Sequence, residues 1–290
     1  MARIRWISIF WPLLAMSTAR AGWVDDVGLE LRFDDNLPRG QLQRDIKSDT
    51  AVVASAATGV GYQITDNGRL SLTLSLSASA YRRYSGLNNA NAGVEVAYHH
   101  RFGLGPLAPD LRAAASAVRL EYRDHWRDGW LYSAQLGMEK RITERLGLSA
   151  TYQIEQRESD DIAVRLVPTI AADVHDVFSR NFIFAGDYTL SPEYVISAAY
   201  TIRDGEVVST TLRNFPIFLA SSAIADDPVF GTERYAYKMK AITRGISLGL
   251  SRLIASHASF TVGYEYLDSR AKGGIDYQAN IVRATYLHQF

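Results

Sequence analysis

Arg83, Glu95, Arg119, Glu121, Arg123, Glu155, Arg157 and Arg203 are charged residues that recur at alternate positions within otherwise apolar or small-residue stretches. Set on one face of neighbouring extended segments, they would bring guanidinium against carboxylate at similar heights. Such a lining has two readings. It forms a constriction whose field and width act on small solutes, as charged rings do in channels, or it forms a salt-bridged plug that only stabilises the wall. Both signs are present, so strong ion selectivity does not follow. The arrangement closest to hydrolysis is His175-Asp176 with Ser179. A triad is defined by geometry and not by nearness in sequence, and no family signature surrounds these residues, so ordinary polar rim residues remain the competing reading. His99 and His100 would point to opposite sides of one strand and cannot share a metal. The chain has no Cys, hence no disulfide, thiolate site or lipidated cysteine. No enzyme, metal or cofactor is expected.

The elements that would hold these residues are extended. Leu70-Ser-Leu-Thr-Leu-Ser-Leu-Ser-Ala-Ser-Ala80 alternates without a fault, and Leu146–Ile154 and Tyr194–Ile202 repeat the pattern. Twelve such segments span 23–33, 50–64, 69–82, 91–103, 111–123, 129–142, 146–158, 176–189, 193–204, 235–252, 258–269 and 277–290. Each approaches or exceeds the roughly 9–11 residues of a tilted transmembrane strand, whereas soluble strands run about 5–6. No run of about 18 apolar residues follows the N-terminal stretch, yet 47% of residues are hydrophobic. A chain that enters lipid without such runs satisfies its backbone in a closed β-barrel. A secreted soluble β-sandwich is the alternative, and strand length argues against it.

The gaps alternate as well. Thr65-Asp-Asn-Gly68, 103–110, Thr143-Glu-Arg145, Leu190-Ser-Pro192 and Ala255-Ser-His257 are short or turn-like, and Asn67-Gly68 is a hairpin signal because both tolerate positive φ. The other gaps are mostly longer, above all 159–175 and 205–234. Short periplasmic turns opposite long extracellular loops is the asymmetry of an outer-membrane barrel. In this register Tyr62, Phe102, Tyr188, Tyr194, Phe260 and Tyr286 face outward near the periplasmic ends. Tyr84, Tyr122, Trp130, Tyr132, Tyr264 and Tyr266 do so near the extracellular ends, as aromatic girdles require. Ser71, Thr73, Ala113, Ala115, Gly147, Ser149 and Ser197 would line the lower lumen. Arg244 shares parity with Ile242, Ile246 and Leu248; facing lipid at the midplane it would cost about 2–4 kcal/mol, so a bulge or a place near the rim is expected there.

Arg3 and Arg5, the apolar run Trp6–Met16 and Ala19-Arg20-Ala21 have the form of a signal peptide, 1–21, cut after Ala21, leaving 22–290 as one barrel. Without those residues 28 basic and 31 acidic side chains remain, a net charge of −3 and no basic surface for nucleic acid. The last segment ends on Tyr286-Leu-His-Gln-Phe290 with one apolar and one largely polar face. It resembles the closing strand of bacterial outer-membrane β-barrels, and the mature chain as a whole resembles Gram-negative, porin-like barrels. That resemblance implies that Tyr286 and Phe290 belong to a signal read by the barrel-assembly machinery. It also implies location in the outer membrane, beside lipid and lipopolysaccharide. Phe33-Asp-Asp-Asn36 and Arg203-Asp-Gly-Glu206 resemble loop entries of porin-like proteins, some linked to envelope polysaccharide export, though polar turn residues would read the same.

The expectation is therefore an all-β, antiparallel, up-and-down transmembrane barrel of twelve strands. Its function would be that of a narrow passive channel for small solutes, since twelve strands lie between filled eight-strand barrels and open porins of 16–18. The alternatives are a closed structural barrel presenting loops to a partner or lipopolysaccharide, and a rim hydrolase centred on His175. Phe215-Pro-Ile-Phe-Leu-Ala220 would fold inward as a constriction or cap, bind a partner, or pack on its own loop.

Overall fold

The computed structural model describes residues 25–163, 166 and 169–290; the signal-peptide expectation lies outside them. Alternation makes the strands. Each apolar residue of Leu70–Leu76 turns outward, and each Ser or Thr between them turns in, so Leu74 is 53% exposed and Thr73 5%. An outer surface this apolar is stable only in lipid.

Twelve strands form the wall: β1 (Asp26–Asp34), β2 (Asp49–Thr65), β3 (Gly68–Tyr81), β4 (Asn89–Arg101), β5 (Asp110–Tyr122), β6 (Gly129–Arg141), β7 (Leu146–Ser159), β8 (Val177–Thr189), β9 (Tyr194–Thr211), β11 (Tyr235–Ala255), β12 (Ala258–Ala271) and β13 (Ile275–Gln289). Between β9 and β11 lie a one-turn helix, α1 (Phe215–Ala220), and a short strand, β10 (Ala223–Asp226). Neighbours pair antiparallel in chain order, β9 pairs β11, and β13 pairs β1 from Asp26↔Gln289 to Asp34↔Ile281. That last pairing closes the ring, so no edge strand faces lipid. β10 stands outside the ring, paired to the upper end of β11 beyond the point where β12 stops. No helix among the described residues is long and apolar enough to cross a membrane.

Several sequence expectations change here. β9 runs seven residues past 204, because Val207-Val-Ser-Thr-Thr211 favours extension and pairs with β11 up to Thr211↔Tyr235. Arg203-Asp-Gly-Glu206 is thus mid-strand. Gly205 is needed there for close approach, since a Cβ would lie 2.4 Å from the Phe178 carbonyl oxygen. The hairpin at 65–68 forms, but neither Asn67 nor Gly68 takes positive φ, and a register shift between Gln63 and Thr65 shapes the turn. Arg244 sits in regular pairing opposite Asp268, one outward step above the pair Ile246↔Tyr266. It therefore lies near the rim, at and beyond the aromatic girdle, with no bulge.

β5 corrects a whole face. Leu111-Arg-Ala-Ala-Ala-Ser-Ala-Val-Arg-Leu has apolar residues on both sides, so its alternation cannot set its facing. Cross-strand partners do: Arg112 bonds Glu95, and the Ser116 and Ser133 hydroxyls meet at 2.8 Å, all inside. Even positions of β5 therefore face the lumen. Ala113, Ala115, Arg119, Glu121 and Arg123 follow the outer face, and Tyr122 turns inward. Tyr84 also leaves the girdle; its ring lies 5.0 Å from that of Phe230 in the extracellular loops.

Candidate functional site: the lumen and its extracellular cap

Inward charges on β1 begin the site. Leu29, Leu31 and Phe33 face out, so Glu30, Arg32 and Asp34 face in. Arg32 Nε donates to Glu30 Oε1 at 2.8 Å. On the adjoining wall Arg283 Nη2 donates to Glu265 Oε2 at 2.6 Å. Lower down, β4 and β5 add the Glu95–Arg112 pair, and His99 approaches Asp110 at 3.5 Å. On β7 to β9, Glu155 accepts from Asn181 Nδ2 at 2.9 Å and lies 3.8 Å from Arg203. Arg157 donates to the Arg127 carbonyl at 2.7 Å, with its guanidinium 5.4 Å from the Tyr122 ring centre.

Of the eight expected lining residues, Glu155, Arg157 and Arg203 stand together on one stretch of lumen wall, and Glu95 stands inside on β4. Arg119 stands on the outer face: it pairs opposite Trp130, carries its guanidinium 5.9 Å from that ring, and bridges Asp160 at 2.6 Å and Glu121 at 3.5 Å. Glu121 is exposed on that face, and Arg123 is exposed just past the strand. Arg83 lies beyond β3, exposed, with its backbone N–H on Asp49. The sequence reading passed over Glu30, Arg32, Asp34, Asp49, Arg112, Glu265 and Arg283. The signal was legible in Leu29-Glu-Leu-Arg-Phe-Asp34, where apolar and charged residues alternate.

The extracellular loops cross the mouth. In the β1–β2 loop, Asn36 bonds Gly40 in both directions and donates to the Gln278 carbonyl at 2.8 Å, and Arg39 takes a positive φ of 56°. This bend returns the Arg39 guanidinium to Asp34 at 2.9 and 2.8 Å. The same loop reaches β9: Pro38 accepts from Thr210 N at 2.8 Å, Arg39 O accepts from Ser209 Oγ at 2.6 Å, and Asp45 takes Arg234 at 2.5 Å. From the far side of the ring, Arg127 donates to Asp227 at 2.7 Å, and Thr210 Oγ1 donates to the same oxygen at 2.5 Å. Helix α1 is capped by the Asn214 side chain and buries Ile217 against Ile224, Tyr237, Met239 and, from β13, Ile275, while Phe215 and Leu219 stay exposed.

His175 is buried in this cap. Burial, and then the charges of Arg127 and Arg157, push its imidazole well below the usual histidine value. The His175, Asp176 and Ser179 cluster does not assemble. The Asp176 carboxylate accepts from Ser159 N at 2.7 Å and Oγ at 2.5 Å, and Ser179 Oγ donates to Glu155 at 3.4 Å. Among the described residues no group of His, Asp and Glu is placed to hold a metal.

Tyr286 faces outward on β13 opposite Leu29 and Phe260, and the Phe290 N–H donates to the Asp25 carbonyl at 3.0 Å. The aromatic end of the chain therefore lies on the seam where last strand meets first.

A sealed ring of strands, apolar outside and charged within, defines the class as a transmembrane β-barrel. No protein-family model matches the chain, and no curated protein matches it. Solved structures do. An outer-membrane channel from Pseudomonas putida F1 superposes with TM-score 0.56 at 11% identity, covering 93% of this chain and 97% of that one. The NanC porin superposes with TM-score 0.50 at 11% identity, covering 90% and 100%. At that identity the likeness is one of fold, and the fold is that of the outer-membrane barrels.

Proposed function

We propose that this protein is a narrow passive channel for small polar solutes in the outer membrane. The observation that carries this reading is water-accessible charge inside a sealed wall. Arg32 keeps 35% and Arg203 37% of its side-chain surface exposed although both point inward. A filled core would leave neither. Solutes would diffuse between the extracellular loops and past the paired charges of β1, β7, β9 and β13. The outward girdle would contact lipid and, on the outer leaflet, lipopolysaccharide; the β13 seam with Tyr286 and Phe290 would be read by the assembly machinery.

Single-channel recording in a planar bilayer tests the proposal. Stable ohmic steps are expected, and Arg203→Gln should change their size. Silence at high protein load would reject the channel and favour the other reading that the interlocked loops support, a capped barrel that displays its surface.

A further inference from the structure

Beneath the β1–β2 loop the lumen holds a cavity of about 190 Å³. Arg32, Arg39, Arg283 and Tyr81 line it together with Asp34 and Asp49. The carboxylates there are already spent. Asp49 accepts the backbone N–H groups of Thr50 at 2.8 Å and of Arg83 and Tyr84 at 3.0 Å, and it is buried. Asp34 accepts both terminal nitrogens of Arg39 and the Asn36 N–H at 2.9 Å, and is equally buried.

The donors are not spent. A guanidinium offers five N–H groups. Arg283 gives one to Glu265, and Arg32 gives its Nε–H to Glu30, with Nη2 2.7 Å from the same oxygen. Among the described residues Arg32 and Arg283 bond no further acceptor, and both line the cavity together with Tyr81. Three of the four acids around the cavity are matched by an arginine, and the charge of Asp49 is held by backbone donors. Three arginines against four acids leave the surroundings at a net charge of −1, so the bulk field opposes an anion, and forked hydrogen bonding must decide what stays.

We propose that this cavity binds the carboxylate of a small organic acid, gripped by Arg32 and Arg283. Planar forks suit carboxylate oxygens better than they suit hydroxyls. The space is that of about six waters at ~30 Å³ each, so the acid has only a few carbons. The opposing net charge keeps residence short, as conduction requires. The inference rests on the channel reading for the route by which the acid arrives.

Isothermal titration of the folded full-length protein in detergent, with L-lactate as probe and glycerol as the uncharged control, tests it. Lactate binds and glycerol does not. Arg32→Gln weakens lactate about tenfold, the loss of one charged hydrogen bond or more. Arg283→Gln alone would strand buried Glu265, so the paired Arg283→Gln/Glu265→Gln variant is used, and it loses affinity to a similar degree. Absence of lactate binding, glycerol bound as tightly as lactate, or unchanged lactate affinity in both variants overturns the site. Bilayer recording of the same preparation separates the two claims. Conduction without lactate binding removes the site and keeps the channel. Lactate binding by a silent barrel removes the channel and keeps the site.

Discussion

In the barrel wall a residue's surroundings follow from its parity: Leu72, Leu74 and Leu76 meet lipid, and Ser71 and Thr73 meet the lumen. In the extracellular cap parity says nothing. Asp227 is buried because Arg127, 100 positions earlier, and Thr210, 17 earlier, both donate to it. The wall is held by a repeated ladder and a shared solvent boundary. The cap is held by a small apolar cluster around Ile217 and by long-range charged contacts such as Arg127–Asp227 and Arg234–Asp45. Damage to the wall should therefore be graded by depth in the bilayer, and damage to the cap should be local and should leave the barrel folded.

The largest expected effect breaks the wall. Leu74→Arg places a charge on the lipid face and should cost about 2–4 kcal/mol, read by denaturant titration of refolding into vesicles. Unchanged stability would mean that this face does not meet lipid. In the cap, Asp227→Asn weakens two hydrogen bonds, one of them to a buried guanidinium, for about 1.5–3 kcal/mol of local stability. Limited proteolysis within 212–234 should accelerate while the unfolding transition of the barrel stays where it was. A shared loss would show that cap and wall are one cooperative unit.

Acid should act on the cap through His175. His175 is held below its ordinary value, so on acidification the opened cap takes up a proton near pH 6.5 while the closed one stays neutral. Stability of the closed cap is full above about pH 6.5 and falls below it, by up to about 1.4 kcal/mol per pH unit. Proteolysis rates across that range check the direction, and His175→Gln should flatten them. The smallest effect sharpens the facing of β5. Arg119→Gln, on the outer rim, should change stability by no more than about 1 kcal/mol and leave conductance unaltered. A changed conductance would return Arg119 to the lumen.

How much was legible in advance follows the same division. Eleven of the twelve wall segments could be bounded to within about three residues by alternation, because lipid on one side and water on the other force period two. β9 is the exception, since its extra length depends on pairing with β11. Within the site, Glu95 could be placed inside because Val94 and Val96 flank it, and Glu155, Arg157 and Arg203 because they continue the inward parity set by the outward Leu148–Ile154 and Ile196–Ile202 series. Arg119, Glu121 and Arg123 could not, because Ala113, Ala114 and Ala115 fit either face equally well. The Arg32–Arg283 cavity draws on strands at opposite ends of the chain, and no local pattern joins them.

The amino-acid order by itself determined a membrane barrel of twelve strands, since backbone groups in lipid must pair and only alternating segments of this length do so in a closed ring. Tertiary structure alone decided which face of β5 is wet, where Asp227, His175 and Arg39 come to rest, and which guanidiniums keep free N–H groups. Those outcomes depend on contacts between residues far apart in sequence, whose partners are chosen only once the ring has closed.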